Sequence, residues 1–322
     1  MDVKTTKSVK VIPKQVFAEL PQTYTLSPEQ HKFYHDNGYL VIKKLIDFAS
    51  LYSYKQRFIQ ISKGVVDRGN ITVVKEPSLF AKGLKGEDLI NKLQDILFDD
   101  VFAQYIENPA LLHVVCQLVG ADTQYNLPPG VKSDLKYGDN IRAMHSMFIN
   151  KPPGTGRHPP HQDLYYFPFR PAHKIVASWT AVDAVTRDNG CLYVVPGSHH
   201  QGLIHAHGNL EDSNKLYHGI ISELVVAPVQ SRIHLEMSPG DTVFFHPLLV
   251  HGSGPNVTKN YRKSISCHYA NSECHYVDVA GSVQQHIADE IEAEARRRGF
   301  HINFQDSFRY RSKQVMGVKS NL

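Results

Sequence analysis

The chain has 322 residues, 42% of them hydrophobic and 20% charged, with a formal net charge of +4. That apolar content suffices for a core at this length, but no run approaches the roughly 18 apolar residues needed to cross a bilayer, and the polar opening MDVKTTKSVK lacks the apolar stretch of a secretory signal. Cys116, Cys191, Cys267 and Cys274 are scattered with no Cys-x-x-Cys pair for zinc or redox work, so disulfides are not implied and a soluble intracellular protein is expected.

In chain order, residues 1 to about 20 read as a poorly ordered tail and 21–322 as a single domain, since no linker, repeat or low-complexity segment divides them. Ser27-Pro28-Glu29-Gln30 is a helix start, with a capping serine, a first-turn proline and a capping-box glutamine. Gly38 closes that helix and residues 39–42 follow as a strand. Helical spacing of Leu, Ile, Phe and Val recurs over about 47–63, 88–106 and 109–119, with Gly64 and Gly120 as stops. After Ile141 the pattern changes to short β-branched and aromatic runs, clearest at 176–181, 191–195, 232–237, 242–245 and 263–270. Residues 202–222, rich in His, Gly and Asn, are expected to form a mobile lid, and 282–298 an outer helix. The Arg296-Arg297-Arg298 run reads as a solvated helix end, so no nucleic-acid partner is expected.

Chemistry concentrates in three places. In His161-Gln162-Asp163, the first and third residues of a strand share a face, so an imidazole and a carboxylate would point together. A third ligand is supplied best by His251, at the end of the apolar run after Gly240-Asp241. His246 competes for that role, but Pro247 breaks the alternation there and the Gly-Ser-Gly after His251 suits a turn closing on a site, so His246 reads as a buried histidine met by a backbone partner. Two imidazoles and one carboxylate on one face of an Fe(II) ion mark oxygenases that bind a co-substrate and O2 side by side. Arg262, eleven residues after His251, could bring a guanidinium fork to clamp a carboxylate, so the set reads as a 2-oxoglutarate site. A zinc hydrolase uses the same ligand types and stays open at this point, though it has no need of a fixed dicarboxylate clamp.

The His-Gln-Asp motif with its following aromatics, Asn189-Gly190-Cys191-Leu192, Pro196-Gly197-Ser198-His199, Gly240-Asp241-Thr242-Val243 and His251-Gly252-Ser253 with Asn256 resemble the phytanoyl-CoA dioxygenase family. The resemblance runs from about residue 26 to the C-terminus. It implies a mainly β fold with flanking helices, a double-stranded β-helix or cupin-like jelly roll with the N-terminal helices packed outside. It implies that His161, Asp163 and His251 hold Fe(II), that Arg262 binds the distal carboxylate of 2-oxoglutarate, and that Lys92, Met147 and Trp179 line that pocket. Core packing is the competing account of Met147 and Trp179, and a solvated helix position that of Lys92.

Ser253 and Asn256 are expected to orient His251, and Tyr165-Tyr166-Phe167 to line an acyl channel. The implied reaction is 2-hydroxylation of a 3-methyl-branched acyl-CoA, consuming O2 and giving succinate and CO2, with ascorbate stimulatory. A family member that binds metal and 2-oxoglutarate without hydroxylating is the competing class. The C-terminal Ser320-Asn321-Leu322 resembles a peroxisomal address without its basic middle residue, so an import receptor is an expected partner alongside the small-molecule substrate. A monomer or weak homo-oligomer is expected.

Overall fold

The computed structural model describes residues 23–120, 140–210, 217–317 and 321–322. The expected N-terminal tail and Ser320 lie outside them. Among the described residues no helix is long and apolar enough to cross a membrane.

Helix α1, Pro28–Asn37, begins as the sequence predicts: the Ser27 hydroxyl accepts from the Gln30 amide while the Gln30 side chain accepts from the Ser27 amide. Gly38 ends it at a φ of 77°, and a Cβ there would lie 2.5 Å from His199 Nδ1, so both the turn and the close approach of the imidazole require glycine. Strand β1, Tyr39–Ile42, leads to helix α2, Phe48–Ser62, capped by Asp47. Its buried face is Leu51, Tyr54, Phe58 and Ile61, a helical stripe. Phe58 stacks on Phe148 at 4.9 Å, and burying such a ring is worth about 1.5–3 kcal/mol.

Residues 88–106 are not the single helix their spacing predicts. After strand β2, Thr72–Lys75, comes strand β3, Ile90–Gln94, then a 3-10 turn at Ile96–Phe98 and a one-turn helix at Ala103–Ile106. Asp95 takes a φ of 63°, which a helix interior does not allow, and β3 gains a ladder between β2 and the long strand β4, Ile141–Lys151. Pairing partners supplied by distant chain override the local 3.6-residue period. Helix α3, Pro109–Val119, is buried nearly all round, as its sequence, apolar but for His113 and Gln117, requires.

From residue 141 the β expectation holds. Besides a two-residue pair, Phe169–Arg170 with His275–Tyr276, the remaining strands are β5 (His158–His161), β6 (Ile175–Ala181), β7 (Leu192–Val194), β8 (His207–Asn209), β9 (His218–Ile220), β10 (Ile233–Leu235), β11 (Thr242–Phe245), β12 (His251–Ser253), β13 (Arg262–Asn271) and β14 (Lys313–Met316). The larger antiparallel sheet runs β1-β11-β6-β13-β4-β3-β2, with β14 also on β4. The smaller runs β10-β7-β12-β5. Trp179, Val243 and Phe245 of the first sheet meet Leu192, Val194 and Leu235 of the second, so the two sheets enclose a shared core. Helices α2 and α3 cover the outer face of the larger sheet. Helices α4 (Gln285–Arg297) and α5 (Phe304–Tyr310) close one end over Leu164, Tyr165, Phe167 and Phe169. The segment expected to be a lid carries the β8–β9 hairpin, set against β5 where Gly219 meets Pro159; residues 211–216 lie outside the described set.

Candidate active site

The site is assembled by strand register. β12 pairs antiparallel with β5 so that His251 stands directly opposite His161. His161 is the last residue of its strand. Gln162 remains extended at φ −122° and ψ 128°, and Asp163 opens a 3-10 turn, so the strand reading of the motif ends one residue short of the carboxylate. Gln162 does point away as alternation requires: its amide nitrogen donates to the carbonyls of Leu203 and Leu248, and its oxygen accepts from the His205 amide. It thereby fastens two connecting segments behind the site.

Asp163 Oδ1 lies 3.5 Å from His161 Nε2 and 3.7 Å from His251 Nε2. Ligand atoms sharing an ion at about 2.0–2.2 Å stand roughly 3–3.6 Å apart, so the three fit a common metal better than they fit hydrogen bonds to one another. The Nδ1–H of His161 donates to the Pro159 carbonyl and that of His251 to the Leu249 carbonyl, each at 3.0 Å. These bonds fix the tautomers and leave both Nε2 lone pairs facing Asp163. Burial and the neighbouring His161 hold the His251 pKa down to about 4, so the ring is neutral and able to ligate. Burial opposes ionisation of Asp163, but the imidazoles of His268, His251 and His161 outweigh it and keep its pKa well below the ordinary carboxylate range. His268, on β13, holds the other carboxylate oxygen through Nε2 at 2.7 Å.

A cavity of about 590 Å³ opens on this cluster, lined among others by Lys92, Met147, Tyr166, Phe167 and His268. Lys92 is on strand β3 rather than a helix, and burial lowers its pKa to about 8. Tyr166 and Phe167 face this cavity, whereas Tyr165 packs in the core and stacks on His207 at 4.2 Å.

Arg262 and Trp179 lie in a neighbouring cavity of about 60 Å³. The guanidinium sits 5.4 Å from the Trp179 ring centre and donates to Ser264 Oγ and the Gly190 carbonyl, while Nε has no partner. Directly opposite it across the strand pair stands another cation: β13 and β4 bring Arg262 into register with Lys151. Lys151 is 5% exposed and Arg262 2%, and Lys151 Nζ donates to Ser253 Oγ. Burial first and Arg262 second push the Lys151 pKa well below its usual value, and burial brings Arg262 down to about 10. Among the described residues neither cation forms an ion pair. Like charges facing each other across strands are destabilising, so this arrangement asks for an anion. Gly190, at φ 87°, leaves the room: a Cβ there would lie 2.8 Å from Lys151 Cε.

The four residues expected around the co-substrate therefore divide, Lys92 and Met147 on the larger cavity and Trp179 and Arg262 on the smaller. His158 and Tyr217 border both, stacked on each other at 4.1 Å, with His158 also stacked on His161 at 4.0 Å. Two sequence expectations are corrected. Ser253 contacts Lys151, and Asn256 holds the Lys151 and Asn260 carbonyls, so neither orients His251, whose own chain does so. His246 is outside the cluster; its Nδ1 accepts from the Leu248 amide, as expected of a backbone-satisfied histidine. Lys151, His158, Tyr217 and His268 carry no local signal in the sequence, because each gains meaning only from the element opposite it in space.

A two-sheet β fold with two imidazoles and a carboxylate converging in its interior defines the class of mononuclear non-haem oxygenases. The same β-helix is seen in apo EctD from S. alaskensis (TM-score 0.60, 18% identity, 83% of this chain and 85% of that one) and in the epimerase SnoN from nogalamycin biosynthesis (TM-score 0.53, 18% identity, 80% and 87%). Residues 34–264 match the phytanoyl-CoA dioxygenase (PhyH) family, and the chain belongs to it. It is 44% identical to a probable phytanoyl-CoA dioxygenase of Caenorhabditis elegans, over 92% of this chain and 95% of that one, and 39% identical to the peroxisomal phytanoyl-CoA dioxygenase of Homo sapiens, over 92% and 85%. It is thus a dioxygenase of the phytanoyl-CoA type.

Proposed function

We propose that the protein is an Fe(II)- and 2-oxoglutarate-dependent enzyme that hydroxylates carbon 2 of a 3-methyl-branched acyl-CoA such as phytanoyl-CoA. The observation that carries this reading is the pairing of the His161, Asp163 and His251 cluster with a buried guanidinium that has no carboxylate partner in a cavity next to it. His161 Nε2, His251 Nε2 and Asp163 Oδ1 would hold the ion. When bound, ferrous iron supplies activation of O2 coupled to decarboxylation of the 2-oxo acid, giving succinate and CO2, with ascorbate keeping it ferrous.

Each residue then has a physical task. Arg262 receives the distal carboxylate through its planar fork, with Lys151 and Ser253 beside it, so the 2-oxo acid is oriented before reaction. Trp179 walls that cavity, and Lys92 and Met147 lie on the metal side. His268 keeps one oxygen of Asp163 engaged, which leaves the other directed at the metal. Phe167, Phe308, Ile287 and Ile291 give the larger cavity an apolar wall suited to an acyl chain, while Arg298 and Arg311 at its border, paired with Glu294 and Asp95, would have to exchange those partners for the phosphates of coenzyme A. A zinc hydrolase would have no use for the buried cation pair. Residues 21–322 are taken as one catalytic domain.

Succinate formation from 2-oxoglutarate and Fe(II), measured with and without phytanoyl-CoA, tests the reading. Turnover stimulated by the acyl-CoA is expected. Turnover unaffected by any branched acyl-CoA would reduce the protein to a metal- and 2-oxoglutarate-binding sensor. The compartment is proposed to be the peroxisome, supported by the peroxisomal name of the human relative. Removing residues 320–322 from an amino-terminally tagged protein in cells should abolish that location, and an unchanged distribution would remove the C-terminal address.

A further inference from the structure

Away from the centre just described, one other group of described residues brings three metal-binding side chains together: His218, His286 and Glu290. His218 comes from β9, whereas His286 and Glu290 lie one turn apart in α4 and so share a face of that helix. Glu290 Oε1 is 3.2 Å from His218 Nε2 and 3.0 Å from His286 Nε2, and Oε2 is also 3.2 Å from His218 Nε2. Both imidazoles thus converge on one carboxylate, at separations that ligand atoms around a zinc ion also adopt, roughly 3–3.5 Å for bonds of about 2.0–2.2 Å. Exposure is graded from the buried His218 side chain, at 7%, through Glu290 at 40% to His286 at 59%, which leaves an ion an entry path and a position for water.

The location gives the cluster a consequence. His218 and Glu290 both line the 590 Å³ cavity. Ring centres step from His161 to Tyr166 at 6.5 Å, from Tyr166 to His218 at 6.3 Å and from His218 to His286 at 5.6 Å. The cluster therefore stands at the border of the substrate cavity, one tyrosine removed from the catalytic imidazole. A cation there would cross-link helix and hairpin, two elements that the chain does not otherwise join covalently near this opening.

We propose that His218, His286 and Glu290 form a second divalent-cation site, of zinc type, that ties α4 to the β8–β9 hairpin at the rim of the substrate cavity. Zinc is favoured over ferrous ion because an open site of two imidazoles and a carboxylate follows the general affinity order of the divalent metals, in which Zn(II) stands above Fe(II). Occupancy narrows the rim and hinders entry of a long acyl substrate, while the metal and co-substrate positions are untouched.

The test uses Zn(II) alone as probe on chelator-stripped full-length protein, titrated in competition with a chromophoric chelator. Wild type should take up two equivalents and His286→Ala one, with the fold of this exposed-site variant checked by circular dichroism. His161→Ala/Asp163→Ala should also take up one, and adding His286→Ala to it should remove that one. Uptake of a single equivalent by wild type, or of two by His286→Ala, overturns the proposal. This binding measurement does not depend on the proposed reaction. The rim effect does rest on it: added Zn(II) that displaces iron from His161, Asp163 and His251 lowers kcat in wild type and His286→Ala alike, and beyond that common loss wild type alone should show an apparent KM for acyl-CoA raised several-fold. The same KM for acyl-CoA in both proteins after Zn(II) addition would remove the rim role and leave the site.

Discussion

Asp163→Ala is expected to abolish both iron retention and succinate formation, and His161→Ala to do the same. Each change removes one of three ligand atoms that meet within 4.8 Å in a buried site, and no other carboxylate belongs to that cluster. Two imidazoles alone, with Nδ1 tied to backbone carbonyls, neither neutralise nor enclose a divalent ion. Asp163→Ala also strands the His268 Nε2 donor in the core, which costs about 1–3 kcal/mol, so its melting temperature should fall further than that of metal-free wild type. A graded control comes from the same hydrogen bond. His268→Ala leaves all three ligands in place but frees the Asp163 carboxylate to rotate, and should weaken metal binding roughly 10- to 100-fold. Iron measured after gel filtration, with turnover on the same samples, checks the series; near-normal iron in both ligand variants would remove the assignment of the metal.

Arg262→Met should cut 2-oxoglutarate affinity by about 2–5 kcal/mol, because the distal carboxylate loses a desolvated bidentate partner. The stability of the ligand-free protein should change far less. Deleting the guanidinium leaves Ser264 Oγ and the Gly190 carbonyl without a donor, but it also ends the confrontation with Lys151 directly across the β4–β13 ladder. Those two effects oppose each other, whereas cutting a true ion pair would only destabilise. Trp179, the only tryptophan in the chain and 5.4 Å from the guanidinium, supplies the readout through its fluorescence on titration with 2-oxoglutarate. An unchanged affinity would move the clamp to Lys151, the other cation of that cavity.

These two experiments also separate what kinds of information the site contains. His161, Asp163, His251 and Arg262 were legible because their neighbours in sequence carry turn and strand signals that restrict which way each points. Lys92 reads as a helix position in the sequence but lies on a strand, since Leu89, Ile90, Leu93, Ile96 and Leu97 satisfy a 3.6-residue period as well as they satisfy a strand buried by β4. The orienting roles assigned to Ser253 and Asn256 went instead to the carbonyl of Leu249, because a backbone group two residues away has no residue-type signature.

By its sequence alone, this chain determined its first helix with both caps, the change from helical to β patterning near residue 141, and which two imidazoles and which carboxylate meet in one cluster. Those features rest on local chemistry: a capping hydroxyl, a positive-φ glycine, a side-chain period. Only the tertiary structure decided that His251 would face His161, that Lys151 would face Arg262 across a strand pair, and that His218 would meet α4. Each of these is a matter of register between segments far apart in the chain, and register is set by the burial of whole faces and by ladder partners, which no short stretch of sequence contains.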